Sequence, residues 1–97
     1  MTIYQLRELF EKHDELFMAF ELYGRTGTCR PDLAAFILLD NLCPATGDIV
    51  GGSEHDEIYL NIEVEELAKV ITEEQVIELI RCGVMYDDQH DSLCMFT

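Results

Sequence analysis

The sequence predicts an α+β fold in a single domain, residues 1–97, with two N-terminal helices, then a strand, two short helices and a C-terminal hairpin. Three observations lead there. Apolar residues recur at helical spacing through the first half, a short middle segment alternates apolar with polar, and the end of the chain sets two apolar runs around an acidic turn. The strand and the hairpin together make a three-stranded antiparallel sheet packed by the helices. A chain of 97 residues supports one modest core, and its 48% hydrophobic content is enough to fold it despite a net charge of −14.

The first helix is predicted from Ile3 to about Tyr23. Leu6, Leu9, Phe10, Leu16, Phe17 and Phe20 fall on one stripe, Thr2 is placed to cap, Gly24 is placed to stop, and a bend is expected near His13. His13 lies in line with that stripe and reads as a core-edge residue. Arg25 to Arg30 reads as a loop. Pro31 then suits a first helical turn, and Leu33, Ala34, Phe36, Ile37, Leu38 and Leu42 form a second helix ending before Pro44. That helix is apolar most of the way round, so a central place is expected for it.

Ala45 to Asp56, with Gly47, Gly51, Gly52 and Ser53, has the composition of a flexible loop. It has neither a Walker lysine nor GxGxxG spacing, and the acids that follow would repel phosphate. From Glu57 to Ile62, Ile58, Leu60 and Ile62 alternate with Glu57, Tyr59 and Asn61, as in a half-buried strand. Glu63 to Val70 is helical by spacing, and Thr72-Glu73-Glu74-Gln75 fits a capping box opening a helix that Gly83 stops. Val84–Asp87 and Ser92–Phe96 flank Asp88-Gln89-His90-Asp91 as the two arms of the hairpin.

Charge is the strongest functional signal. The chain has 20 acids and 6 bases, and residues 49–97 alone hold 12 acids against 2 bases. Solubility needs far less, and an excess of this size opposes compaction, so a cationic partner is expected to use it. The candidate partner-binding acids are Glu54, Asp56 and Glu57 at the start of the strand, Glu63, Glu66, Glu74 and Glu78 on the short helices, and Asp87, Asp88 and Asp91 at the hairpin. Glu65 stands four residues before Lys69, the favourable order for a local ion pair, and is a poorer candidate. Helical carboxylates four apart lie about 6 Å apart along the axis, a scale comparable with the ~3.4 Å phosphate spacing of duplex DNA, so such acids suit lysine and arginine sites built for phosphates.

Other chemistries are poorly served. Paired carboxylates stand in a field of like charge with no evident cleft to separate their pKa values, and cysteine nucleophiles would need a positive neighbourhood. Cys29, Cys43, Cys82 and Cys94 are widely and unevenly spaced and read as reduced, buried thiols; no histidine stands at zinc-ligand spacing from them. Asp87 to Asp91 lacks the glycine and terminal glutamate of an EF-hand loop. No catalysis, cofactor, metal or small-molecule substrate is expected. No apolar stretch reaches the roughly 18 residues of a membrane span and no leader pattern opens the chain, so a cytoplasmic location is expected.

Over its whole length the chain resembles the small phage-encoded anti-CRISPR proteins, specifically the type I-F inhibitors that act as DNA mimics. The likeness consists of length, heavy acid bias and an α+β order of elements beginning Met1-Thr2-Ile3-Tyr4-Gln5-Leu6. Those families share no motif and lend no residue to this chain. The resemblance implies binding to the positively charged subunits of the type I-F surveillance complex that grip target duplex DNA, in the host bacterial cytoplasm, and inhibition by occupancy without chemistry. It implies no direct binding of nucleic acid by the protein itself. The competing class is an antitoxin or immunity protein whose acids plug the cationic active site of a nuclease toxin. A third is an interaction module that binds through an apolar face, for which reversing the charges of residues 54–91 would leave function untouched.

Overall fold

The computed structural model describes residues 1–19, 28 and 30–96. Among these, the fold is α+β with four α-helices and one four-stranded antiparallel sheet. The helices are α1 (Ile3–Lys12), α2 (Pro31–Leu42), α3 (Val64–Val70) and α4 (Glu73–Arg81); the strands are β1 (Val50–Glu54), β2 (Glu57–Leu60), β3 (Val84–Asp87) and β4 (Ser92–Phe96). Sheet order is β1-β2-β4-β3, so the C-terminal hairpin docks its second arm against β2.

The sheet has one strand more than the three expected. β1 lies in the stretch expected to be a flexible loop, and every one of its residues is exposed. Gly51 and Gly52 bring no side chain, so the segment shows no alternation to read. It is a strand because a two-residue turn at His55 and Asp56 folds it onto β2, pairing Glu54 with Glu57, Ser53 with Ile58 and Gly52 with Tyr59. His55 takes the left-handed conformation this tight connection requires, at φ 54°. A bulge between Val50 and Gly52 then shifts the register, and beyond it Asn61 donates its N–H to the Ile49 carbonyl.

The first helix is also shorter than expected. α1 opens on a reciprocal capping box between Thr2 and Gln5 but ends at Lys12, and Asp14–Leu16 forms a separate 3-10 turn. Two tertiary contacts account for the break at His13. The Glu73 carboxylate holds both His13 Nε2 (2.8 Å) and Lys12 Nζ (3.4 Å), and the N–H of Met18 donates to the Ile80 carbonyl at the end of α4. His13 is half-buried, as a core-edge residue should be. The expected continuation to Tyr23, the stop at Gly24 and Cys29 lie outside the described residues.

β2 ends at Leu60, two residues short of the expected Ile62, and elsewhere helix boundaries follow the local signals. Pro31 starts α2, the Thr72–Gln75 capping box starts α4, and Gly83, at φ +93°, ends α4 in the left-handed region. Less central than its composition suggests, α2 buries Ala34, Ala35 and Leu39, packs mainly on α4, and leaves Leu33 exposed. The core is formed by Leu6 and Phe10 of α1, Leu67 of α3, Val76, Leu79 and Ile80 of α4, and the inner sheet face of Leu60, Val84, Leu93 and Met95. Leu79 is fully buried, so truncation to alanine costs about 2–5 kcal/mol.

Alternation along the strands gives the sheet a second face. The register sets Gly52, Tyr59, Cys94 and Met85 in one row and Glu54, Glu57 and Phe96 in the next. Cys94 is 4% exposed, yet it lies apart from the core cluster that contains its neighbours Leu93 and Met95. This outer face carries the carboxylates that the sequence assigned to two separate groups.

Candidate functional site

The ten candidate acids fall in three places. Glu54, Asp56 and Glu57 surround the β1–β2 turn, Asp87, Asp88 and Asp91 surround the β3–β4 turn, and Glu63, Glu66, Glu74 and Glu78 lie along α3 and α4. By register the two turns stand at opposite ends of the sheet: Glu57 is opposite Phe96 at the end of β4, whereas Asp87 is opposite Ser92 at its start.

Most acids of the β3–β4 turn are engaged within the protein. Asp88 Oδ1 accepts from Arg7 Nε of α1 at 3.1 Å, and Asp91 Oδ1 accepts from the Tyr86 hydroxyl at 3.1 Å. The Arg7 guanidinium also lies over the Tyr86 ring, 5.9 Å from its centroid, while Phe10 packs on that ring from α1. Burial, and then the bond to Asp91, push the Tyr86 hydroxyl up to about 12. These contacts tie the hairpin to the helices, and Asp88 and Asp91 have a structural role there. Asp88 borders a cleft of about 410 Å³ between α1, α4 and β3, lined also by Arg7, Phe10, Phe17 and Tyr86 together with Glu11 and Asp14.

Asp87 turns the other way. Its Oδ2 lies 2.6 Å from His90 Nδ1, and its Oδ1 accepts from the Gln89 N–H. The hydrogen bond to His90 lowers the Asp87 carboxyl, and the same bond, with the Asp87 charge, raises the His90 imidazole. Held in this way, the His90 ring meets the Tyr59 ring edge-on at 6.0 Å on the outer face of the sheet. Burial first, then the charges of Glu57, Glu54 and Asp87, raise the Tyr59 hydroxyl. Carboxylates from both turns therefore converge on one aromatic side chain. The sequence reading placed Tyr59 and Glu57 on the same side of the strand but had no means of adding Asp87 and His90, which come from the far end of the chain.

The β1–β2 turn is left nearly bare of cations. Glu54 has His55 Nε2 at 3.9 Å, and among the described residues Asp56, Glu57 and Glu63 meet no Lys or Arg within ion-pair distance. On the helices the expected pairing is exchanged: Lys69 Nζ bonds Glu66 at 3.2 Å, three residues back, so Glu66 and not Glu65 is the locally neutralised acid. Glu78 is half-buried instead of exposed, and Glu74 and Glu78 both interact within the molecule. Helical acids are thus less available than their spacing suggests.

The three thiols among the described residues are free and sheltered. Cys82 and Cys94 are buried and Cys43 is half-buried. Burial, and then nearby carboxylates, push both Cys82 and Cys94 up to about 11, so they stay protonated at neutral pH. No group of three or more His, Cys, Asp or Glu among the described residues is arranged to hold a metal ion, and no helix there is long and apolar enough to cross a membrane. No family model, curated protein or solved structure matches the chain.

Proposed function

We propose that this protein is a non-enzymatic inhibitor that presents DNA-like negative charge and blocks target-DNA binding by the type I-F CRISPR surveillance complex. It acts in the host bacterial cytoplasm by occupying the cationic surface that grips the duplex. One observation supports the reading above all: Glu54 and Glu57 stand directly opposite each other across β1 and β2, with no Lys or Arg beside them among the described residues. Like charges opposed in this way destabilise a sheet by up to about 1 kcal/mol, and a fold that retains them forgoes that stability. A partner lysine or arginine set against the pair relieves the repulsion, so binding gains what folding gave up.

Three of the six bases fit the same account. Arg7 is held by Asp88, Lys12 by Glu73 and Lys69 by Glu66, so cations within the fold are matched to acids away from the β1–β2 turn. The outward field is then carried by Glu54, Asp56 and Glu57, with Asp87 on the same face of the sheet by register. Across an antiparallel pair the Cα atoms of Glu54 and Glu57 are about 5.5 Å apart, a spacing that one phosphate-binding lysine cluster can span.

The test is competition. Purified type I-F surveillance complex is incubated with labelled target duplex, and the protein is titrated in at two salt concentrations. Loss of DNA binding near stoichiometry, weaker at the higher salt, is expected. Undiminished DNA binding at saturating protein rejects this target.

A further inference from the structure

We propose that the outer edge of β1, which pairs with no other strand among the described residues, receives an extended basic segment of the cationic partner as a fifth strand, an inference that rests on the reading of a cationic partner above. The two edges of the sheet differ. β3 lies against α1 and α4, whereas among the described residues β1 packs extensively only with β2. Because the two-residue turn closes on the Glu54–Glu57 pair, ladder alternation turns the N–H and C=O of Ser53 away from β2, off the sheet. Proteins usually blunt such an edge with lysine, proline or a bulge; β1 has no lysine or proline, and its bulge at Gly51 interrupts only its start, leaving Gly52 to Glu54 in regular register.

The occupant follows from charge. Asp48, Glu54 and Asp56 are exposed at the two ends of β1, and Glu57 lies one strand in. A second copy pairing by its own β1 would bring these acids face to face between two molecules of net charge −14 each, which opposes self-association. A segment with lysines or arginines at alternate positions meets the carboxylates while its backbone satisfies Ser53. Gly52 matters in the same way. A Cβ added there would touch nothing within 4 Å, and Gly52 lies in the row of Tyr59, so a long cationic side chain on the added strand can cross it toward the Tyr59 ring.

The probe is an acetylated, amidated seven-residue peptide alternating lysine and valine. Its control has the same sequence with alternate amides N-methylated, which keeps the charge and removes strand pairing. By nuclear magnetic resonance the unmodified peptide is expected to shift and protect the Ser53 amide, and the N-methylated peptide to bind at least tenfold more weakly. Ser53→Pro, which removes an outward N–H, is expected to lose that tenfold as well, while Ser53→Ala retains binding. Equal affinity for the two peptides, shifts confined to α3 and α4, or formation of a β1-to-β1 dimer in sedimentation would each overturn the proposal, and all three are read on the unmutated protein. DNA competition separates the two levels. If Ser53→Pro displaces DNA as well as the unmutated protein does, the edge is not the contact although the inhibitor reading stands. If the unmutated protein displaces none, the inhibitor reading fails while the peptide experiment still decides the edge.

Discussion

The two hairpins of this protein both turn through acidic residues, Glu54-His55-Asp56-Glu57 in one and Asp87-Asp88-Gln89-His90-Asp91 in the other, yet the fold treats them differently. The second turn sits beside α1, and its acids are bound by Arg7, Tyr86 and His90. The first stands at the far edge of the sheet, where among the described residues no Lys or Arg comes within ion-pair distance of its acids. An acid run in a sequence is therefore not yet a site. What decides is whether the fold delivers a cation to it.

That contrast is broken most sharply by charge reversal. Converting Glu54, Asp56 and Glu57 together to lysine is expected to weaken competition with duplex DNA by a hundredfold or more, because each change removes one attraction and adds one repulsion. Asp88→Asn and Asp91→Asn together should leave competition within about threefold, measured in the same assay. Inhibition retained by the first variant would remove the β1–β2 turn from the contact.

Stability should show the opposite pattern. Tyr86→Phe deletes the donor to Asp91 and is expected to cost about 1 kcal/mol in urea unfolding. The solvent-screened Arg7–Asp88 pair contributes less, so Asp88→Asn should lower the midpoint only slightly. On the first hairpin, Glu57→Thr should raise stability by about 0.2–1 kcal/mol by ending the glutamate opposition, and should weaken partner binding at the same time. A destabilised Glu57→Thr protein would remove the observation on which the proposed function chiefly rests.

The smallest effect concerns pH. His90 is raised above the ordinary histidine value by its bond to Asp87, so its contribution is complete below that ordinary value and is lost as pH rises through the raised one. Asp87 is lowered, so its contribution is present above the ordinary carboxylate value and is lost as pH falls through the lowered one. The pair thus supports the second hairpin in the interval between the lowered Asp87 and the raised His90. His90→Gln should abolish the loss at the upper end of that interval, followed by the ring proton shifts of Tyr59, whose neighbour His90 is.

Much of the fold was legible from local signals. Thr2 and Thr72 opened helices with capping boxes, Pro31 opened another, Gly83 closed α4, and the alternation of Ile58 and Leu60 marked a strand with Glu57 and Tyr59 on its far side. Each of these rests on interactions within a few residues, which the sequence carries in full. β1 was not legible, because a glycine-rich edge strand is defined by hydrogen bonds to a neighbour and not by its own side chains. The length of α1 was misread for a related reason: its apolar stripe runs past His13, but Glu73 and Ile80, some 60 residues away in sequence, end the helix there.

The sequence by itself determined the class of the fold, the size of the negative charge and the composition of both acidic turns, since these depend on residue type and local period. Tertiary structure alone decided which acids are neutralised, because ion pairs and hydrogen bonds act over a few ångströms and their partners come from distant positions: Arg7 for Asp88, Lys12 for Glu73, and no Lys or Arg among the described residues for Glu57. It also decided that Glu54 faces Glu57 and that, among the described residues, β1 is the outermost strand on its side, since strand order is set by which faces the helices must cover and not by the strands themselves.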